Sequence, residues 1–351
     1  MGEGNERDSP MKLSAGKYWG MRRLADDNGR CKMVAIDQRG PLMIPIAAKR
    51  GLPEASYDDL AAVKTAVTQA LAPQASAMLL DPNFAYPRCV EQIPTRVGLC
   101  LTLEHHVTDD SVGGARRSAE IPDWSVAKIR RIGADAVKLL IWYRPDAPAA
   151  IIEHQQALVR RIGQQCIAHD IVLLLELLVY PLPGESAEQL AAGRSRWVLD
   201  SMRDFGGSGF GVDIYKLEPP AMISNVPDPQ GRKAAAVQAL YDQLGAMTSR
   251  PWVLLSAGAS AADFERSLQF AYRAGASGYL CGRAIWHSAF ERFPDMNAMR
   301  QQLADQAVPY LRQINELTDR EATPWFKHKA MGGEVGLIGD GPLFAAGYPT
   351  S

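Results

Sequence analysis

The sequence predicts an α/β chain folded as a (β/α)8 barrel. Three observations carry that expectation. Eight apolar runs of strand length recur along the chain, helical segments separate them, and polar residues collect where the runs end. Most runs are almost continuously apolar, as parallel strands are when helices cover the sheet.

Taken in order, the first run is MVAID (33–37), and it leads into Asp37-Gln38-Arg39-Gly40. A helical pattern over 54–72 follows, with Pro53 just ahead of it. The second run, SAMLLDP (76–82), ends in Asp81, and the third, VGLCLTLE (97–104), ends in Glu104 followed by His105 and His106. The fourth, DAVKLLIWY (135–143), contains Lys138 and precedes a helix in which Ile151, Leu158, Ile162 and Cys166 recur at helical spacing. The fifth, IVLLLELLVY (171–180), contains Glu176, and the sixth, FGVDIYKLE (210–218), contains Lys216 and Glu218. After the seventh, WVLLSAG (252–258), the residues Phe264, Leu268, Ala271 and Tyr272 share a helix face. Ser260 is its expected N-cap and Gly275 its C′ residue. The eighth, GYLCGRAIW (278–286), turns at Gly282-Arg283.

No GxGxxG follows the first run, which argues against a dinucleotide-binding half. One barrel domain over residues 1–351 is expected, with loosely anchored tails at about 1–12 and 329–351. The segments 181–196 and 219–232 read as long loops at strand ends, where function resides in such a fold.

Charged residues make up 22% and the formal net charge is -1, so no broad electrostatic footprint for nucleic acid or an anionic membrane is present. The cysteines, at 31, 89, 100, 166 and 281, form no CxxC pair, which argues for reduced thiols and a cytoplasmic protein. The opening MGEGNERDSPMKLS lacks the features of a secretory signal, and the longest apolar run is interrupted by Glu176.

Lys138, Glu176 and Lys216 lie inside apolar runs on consecutive strands four, five and six. An unpaired buried charge costs several kcal/mol, so these residues need partners or a purpose. A single one would read as a structural ion pair, whereas three pointing into one barrel mouth can satisfy one another. They also form a chemical kit. A second lysine and partial desolvation free the Lys216 amine to attack a ketone, and the resulting iminium labilises the bond between the α and β carbons. Glu176 would move the protons. Two lysines and a glutamate suffice for an aldolase.

Anion binding has its own candidates. Ser256-Ala257-Gly258-Ala259-Ser260 runs into a helix N-terminus, and Gly282-Arg283 follows strand eight. Arginine adds bidentate recognition of phosphate. The six histidines include no HxH or HExxH pattern, and adjacent His105 and His106 point to opposite faces of an extended segment, so no metal and no cofactor are expected.

AIDQRG (35–40), SAMLLDP (76–82), GADAVKLLIWY (133–143), LLLELLVY (173–180), FGVDIYKLEPP (210–220), LLSAGAS (254–260) and YLCGRAIW (279–286) together resemble the tagatose 1,6-bisphosphate aldolase family. The sulfofructosephosphate aldolases are its relatives. The resemblance runs from about residue 17 to TPW at 323–325 and implies a class I enzyme acting on a phosphorylated ketose. It implies Lys216 as the Schiff-base lysine, Glu176 as acid/base and Lys138 as their neighbour. Asp37 and Gln38 are implied to contact the sugar, and Ser256, Gly258, Gly282 and Arg283 to hold a phosphate. Arg39 is a candidate for a second anionic group.

Departures affect the substrate. LEPP at the sixth exit and YPLPGES at the fifth reshape the rim, while GASGYLCGRAIW and WYRPD lean towards the sulfosugar branch. DPNFAYP and TPW lean towards the tagatose branch. Tagatose 1,6-bisphosphate is the expected substrate, 6-deoxy-6-sulfofructose 1-phosphate the alternative, and a non-catalytic sugar-phosphate-sensing barrel the alternative of another class. A symmetric homo-oligomer is expected, as for many barrel enzymes.

Overall fold

A strand that is apolar on both sides has to be covered twice, by helices outside and by its own barrel inside. That is the arrangement in the computed structural model, which describes residues 11–348. Eight parallel strands close in sequence order. They are β1 (Cys31–Ala35), β2 (Ala77–Leu80), β3 (Gly98–Thr102), β4 (Ala136–Trp142), β5 (Val172–Leu178), β6 (Ile214–Leu217), β7 (Trp252–Leu254) and β8 (Gly278–Cys281). The eight apolar runs each supply one strand; all but β1 are shorter than their runs, which also include the polar exits, and β1 equals its run in length but begins two residues earlier.

Alternation sorts the core into two clusters. Met33, Leu79, Cys100, Leu174, Ile214 and Leu280 belong to the inner one, which Met21 and Leu24 of the helix Ala15–Leu24 close at the N-terminal end together with Trp325 and Met331. Val34, Leu80, Leu101, Leu139, Leu175 and Leu217 belong to the outer one, beneath the helices. Each such side chain stabilises the fold by about 1.5–3 kcal/mol when fully buried. The barrel closes where β8 pairs with β1, Cys31 opposite Gly278 and Val34 opposite Cys281. Gly278 has φ +144, and a Cβ there would stand 1.9 Å from the Cys31 carbonyl oxygen. Only glycine lets this seam close.

Ser260 caps the helix Ala261–Arg273 as its sequence predicts, and Gly275 follows in the left-handed conformation at φ +88. The helix expected over 54–72 is Tyr57–Leu71, because Ser56 rather than the region of Pro53 provides the cap. The segment 181–196 is loop only as far as Ser186, where a capping box with Gln189 starts the helix Ala187–Phe205. The stretch 219–232 contains no helix or strand but is tied down. Asp263 accepts the Val226 N–H at 2.9 Å, and Arg266 and Arg273 donate to the carbonyls of Val226 and Pro229.

The ends of the chain differ from the expectation of loose tails. The tail expected at 1–12 lies outside the described residues except for its last two. Met11–Leu13 pairs in parallel with Val335–Leu337, Ile338 donates its N–H to Leu13, and the Tyr348 hydroxyl donates to Asp170. Residues 335–348 therefore form a strap across the N-terminal face of the barrel. Beneath it lies a cavity of about 980 Å³ lined in part by Lys17, Arg130, Asp170, Asp213, Arg250 and Phe344. Among the described residues no helix is long and apolar enough to cross a membrane, and all five cysteines are free and buried.

Candidate active site

Polar side chains at the opposite, C-terminal end of the barrel converge on Lys138. Register sets this up, since Thr102 lies beside Lys138, Lys138 beside Leu174, and Glu176 beside Lys216. The Lys138 ammonium is 2.7 Å from Glu104 Oε1, 2.9 Å from Asp37 Oδ2 and 2.9 Å from Glu176 Oε2. The other oxygen of Glu176, Oε1, is 2.9 Å from the Nζ of Lys216. One carboxylate thus bridges the two lysines.

The surroundings hold these groups in place. Glu104 Oε2 accepts the Leu140 N–H at 3.0 Å, and Asp37 Oδ2 accepts the Thr102 hydroxyl at 3.1 Å. Arg39 donates to the Glu104 carbonyl at 2.9 Å and stands 3.4 Å from Glu104 Oε1. The cluster therefore sets the carboxylates Asp37, Glu104 and Glu176 against the cations Lys138, Lys216 and Arg39, all six buried. Such balance is what permits so many charges in a low-dielectric interior. Burial acts to lower Lys138, but Asp37, Glu104 and Glu176 outweigh it and raise this group above the usual lysine range. Burial likewise acts to raise Asp37, and Lys138, Lys216 and Arg39 outweigh that and hold its carboxyl well below the usual carboxylate range. Lys138 accordingly stays an ammonium across the neutral range.

Among the described residues Gln38 Oε1 is buried and finds no hydrogen-bond partner, an acceptor open to a hydroxyl. The exit turn that carries Asp37 and Gln38 is anchored from outside the barrel. Lys64, on the helix Tyr57–Leu71, donates to the carbonyls of Ile36 and Gln38 at 2.7 and 2.8 Å and pairs with Asp81 at 2.7 Å. Asp81, although at a strand end, is used up in that anchor.

After β7, Ala257 and Gly258 both have positive φ, 49 and 88, in a tight turn that the Ala259 N–H closes on the Ser256 carbonyl at 2.8 Å. The Arg283 Nη2 lies 3.8 Å from the place a Gly258 Cβ would occupy, which brings the β7 and β8 exits together. The neighbouring helix start contributes less than its sequence suggests, because Ser260 already occupies the Asp263 N–H and Asp263 itself brings a negative charge. Gly282 cannot carry a side chain, as a Cβ would stand 2.4 Å from the Ala35 carbonyl oxygen.

The structure thus brings Asp37, Arg39, Lys138, Glu176 and Lys216 into one network, and sets Gly258 and Arg283 near one another at the β7 and β8 exits, with Ser256 and Gly282 adjoining them in those turns. Thr102 and Glu104 complete the network and are absent from the residues singled out in the sequence. Their signal was the two-residue alternation from Cys100, which turns all three to one side. Glu218, two residues beyond Lys216, accepts the Val179 N–H at 2.6 Å and pairs with Arg194. Burial pushes its carboxyl up to about 7, with Arg194 offsetting only part of the effect. Arg39 faces Glu104 rather than open solvent, with its Nη1 buried and without a hydrogen-bond partner among the described residues.

A family model described as DeoC/LacD family aldolase matches residues 31–288. The tagatose 1,6-diphosphate aldolase 2 of Streptococcus mutans serotype c is 33% identical over 337 residues, which is 92% of this chain and 100% of the relative. The tagatose 1,6-diphosphate aldolase of Lactococcus lactis subsp. lactis is 32% identical over 90% of this chain and 99% of the relative. Among solved structures, a Schiff-base-forming fructose-1,6-bisphosphate aldolase matches with a TM-score of 0.55 at 15% identity, over 86% of this chain and 99% of that one. An archaeal fructose 1,6-bisphosphate aldolase matches with a TM-score of 0.54 at 16% identity, over 86% and 98%. These two likenesses concern the barrel fold.

Proposed function

Because the chain belongs to the DeoC/LacD family of aldolases, we propose that it cleaves a phosphorylated ketose through a Schiff base on Lys216. The substrate proposed is tagatose 1,6-bisphosphate, and the products are dihydroxyacetone phosphate and glyceraldehyde 3-phosphate. The observation that carries this reading is the shared carboxylate, with Glu176 2.9 Å from Lys216 on one oxygen and 2.9 Å from Lys138 on the other.

In this reading Lys216 gives one proton to Glu176 and adds to the C2 carbonyl as the free amine, and a second proton moves from its nitrogen to the C2 oxygen to complete the carbinolamine. Glu176 returns the first proton to the carbinolamine hydroxyl, which leaves as water as the nitrogen lone pair forms the iminium. Glu176 then takes the proton of the C4 hydroxyl, the C3–C4 electron pair moves into the iminium, and the aldehyde departs. Protonation of the enamine at C3 and hydrolysis release the second product and the free lysine. Lys138, fixed as an ammonium, orients Glu176 and can donate to a substrate oxygen. Asp37 and Gln38 would receive sugar hydroxyls, and the Ser256-Gly258 turn with Arg283 the 1-phosphate.

No cofactor enters the proposal. The iminium serves as electron sink, and the carboxylates of Asp37, Glu104 and Glu176 are already neutralised by a lysine. Relatives named for a bisphosphate favour phosphate over sulfonate at C6. A barrel that only senses sugar phosphates would have no use for an amine and a carboxylate in contact.

Borohydride reduction in the presence of dihydroxyacetone phosphate tests the reading, with intact mass and peptide mapping as readout. One adduct on Lys216, absent from Lys216→Met, is the expected result. A folded protein that yields no adduct with ketone in excess overturns the proposal, and inhibition by a chelator overturns its metal-free part.

A further inference from the structure

We propose that Arg116, lying across Trp142 and Tyr180 at the barrel mouth, recognises the anionic group at the distal end of the substrate, a phosphate on the carbon farthest from the Schiff base. The inference rests on the ketose-cleaving reading above. It concerns a different end of the substrate from the Ser256–Arg283 site.

Three observations carry it. The first is that this guanidinium is uncommitted. Its carbon stands 4.2 Å from the Trp142 ring centroid and 5.0 Å from that of Tyr180. Among the described residues no carboxylate lies within ion-pair distance of it, and its side chain makes no hydrogen bond. Of the other arginines around the mouth, Arg283 belongs to the β7–β8 turn and three are engaged. Arg39 is paired with Glu104, Arg194 with Glu218, and Arg144 with both Asp146 and Glu185. The adjacent Arg117 turns to His154 instead. Stacking on aromatic faces orients the planar fork while leaving its N–H donors free for an oxyanion.

The second observation is that the orientation is built in. The Tyr180 hydroxyl accepts the Arg116 backbone N–H at 2.9 Å, and Gln155 donates to the Arg116 carbonyl at 3.1 Å. Tyr180 is itself buried, and its carbonyl is held by Arg144. The exposed Asp110 on the same loop takes the Thr108 hydroxyl.

Position is the third. Trp142 lies four residues beyond Lys138 on β4, and Tyr180 four residues beyond Glu176 at the β5 exit, so both lie on the lumen side of their strands. Four residues at about 3.3 Å each, on strands inclined at about 36°, raise Arg116 roughly 10 Å above the level of Lys138 and Glu176 along the barrel axis. A lysine stem reaching upward and the carbons of an extended ketose beyond C2 together span that height. In the order of the closed barrel β4 stands opposite β8. An extended ketose with an anion at each end can therefore reach from Arg283 to Arg116 over the Lys216–Glu176 pair.

The test is condensation, with dihydroxyacetone phosphate as donor and either glyceraldehyde 3-phosphate or unphosphorylated glyceraldehyde as acceptor. Arg116→Met is expected to reduce the kcat/KM preference for the phosphorylated acceptor by about 10–100-fold, mainly through KM, as loss of charge-assisted hydrogen bonds to a phosphate does. Arg116→Lys, which keeps the charge but not the fork, should recover part of that preference. Loss of activity in equal proportion with both acceptors would assign Arg116 a structural role and overturn the inference. An unchanged preference would place recognition of the distal phosphate elsewhere and overturn it too. Trapping of dihydroxyacetone phosphate on wild-type Lys216 separates these outcomes from failure of the reading on which the inference rests, since that failure leaves no adduct in the wild-type protein.

Discussion

Replacing Lys138 with methionine keeps the volume and removes the cation on which three carboxylates converge. The six-charge cluster then has three negative groups against Lys216 and Arg39, one charge out of balance among buried side chains. Removing one partner of a buried ion pair costs about 3–5 kcal/mol. At about 2.1 cal/mol/K of unfolding entropy per residue, the 351-residue chain has roughly 0.7 kcal/mol/K, so Tm falls by about 4–7 °C.

The size of that loss depends on pH in a determined direction. In the parent protein Asp37 is depressed, so its contribution is present above the unfolded value near 3.9 and is lost only as pH falls through the folded value. Lys138 is raised, so its contribution is complete below about 10.4 and is lost only at higher pH. Between pH 5 and 9 both are therefore constant. In Lys138→Met, burial acts on Asp37 with less opposition and raises its carboxyl. The native state then retains a proton that the unfolded chain has released, and stability falls as pH rises. Calorimetric scans of both proteins at pH 5 and pH 8 should show the larger deficit at pH 8. A deficit equal at the two pH values, or larger at pH 5, would refute the account of the cluster as a balance of buried charges.

Glu218→Gln tests the other buried carboxyl. Its folded value of about 7 against an unfolded value near 4.3 means that the parent loses stability as pH rises from roughly 4 to 7. The amide variant lacks that dependence, so its Tm relative to the parent should rise between pH 5 and pH 8, and a difference constant with pH would contradict it. Gly278→Ala should disrupt the β8–β1 seam, since its Cβ would stand 1.9 Å from the backbone oxygen of Cys31. Strain of this kind costs several kcal/mol. A soluble variant with the parent's Tm would show that the seam can relax.

The strands were readable because a parallel strand covered on both sides leaves an apolar run that no turn or exposed helix imitates. Lys138, Glu176 and Lys216 stood out as charges inside such runs. Glu104 did not, since a carboxylate after an apolar run looks the same whether it turns inward or into solvent. Its role depends on β3 continuing its alternation past Thr102 to meet a lysine on the next strand. Arg116 was hidden for a different reason. Nothing in GGARRSAE distinguishes one arginine from the next, and only the rings of Trp142 and Tyr180 separate the one at the mouth from Arg117. The strap at 335–348 escaped notice because a three-residue pairing partner over three hundred positions away leaves no local pattern.

The cluster around Lys138 also bears on the order of events at Lys216. Three negative charges are set against two positive ones that take no part in bond making and a third, on Lys216, that does. When Lys216 gives up its proton the positive charge disappears from that point, and when the iminium forms it returns there. In the proposed mechanism the iminium thus places its charge beside a carboxylate already set 2.9 Å from the Lys216 nitrogen, with Lys138 and Arg39 facing the other carboxylates. Little of the protein has to move when the covalent bond forms, and that fixed environment is where stabilisation of the iminium would originate.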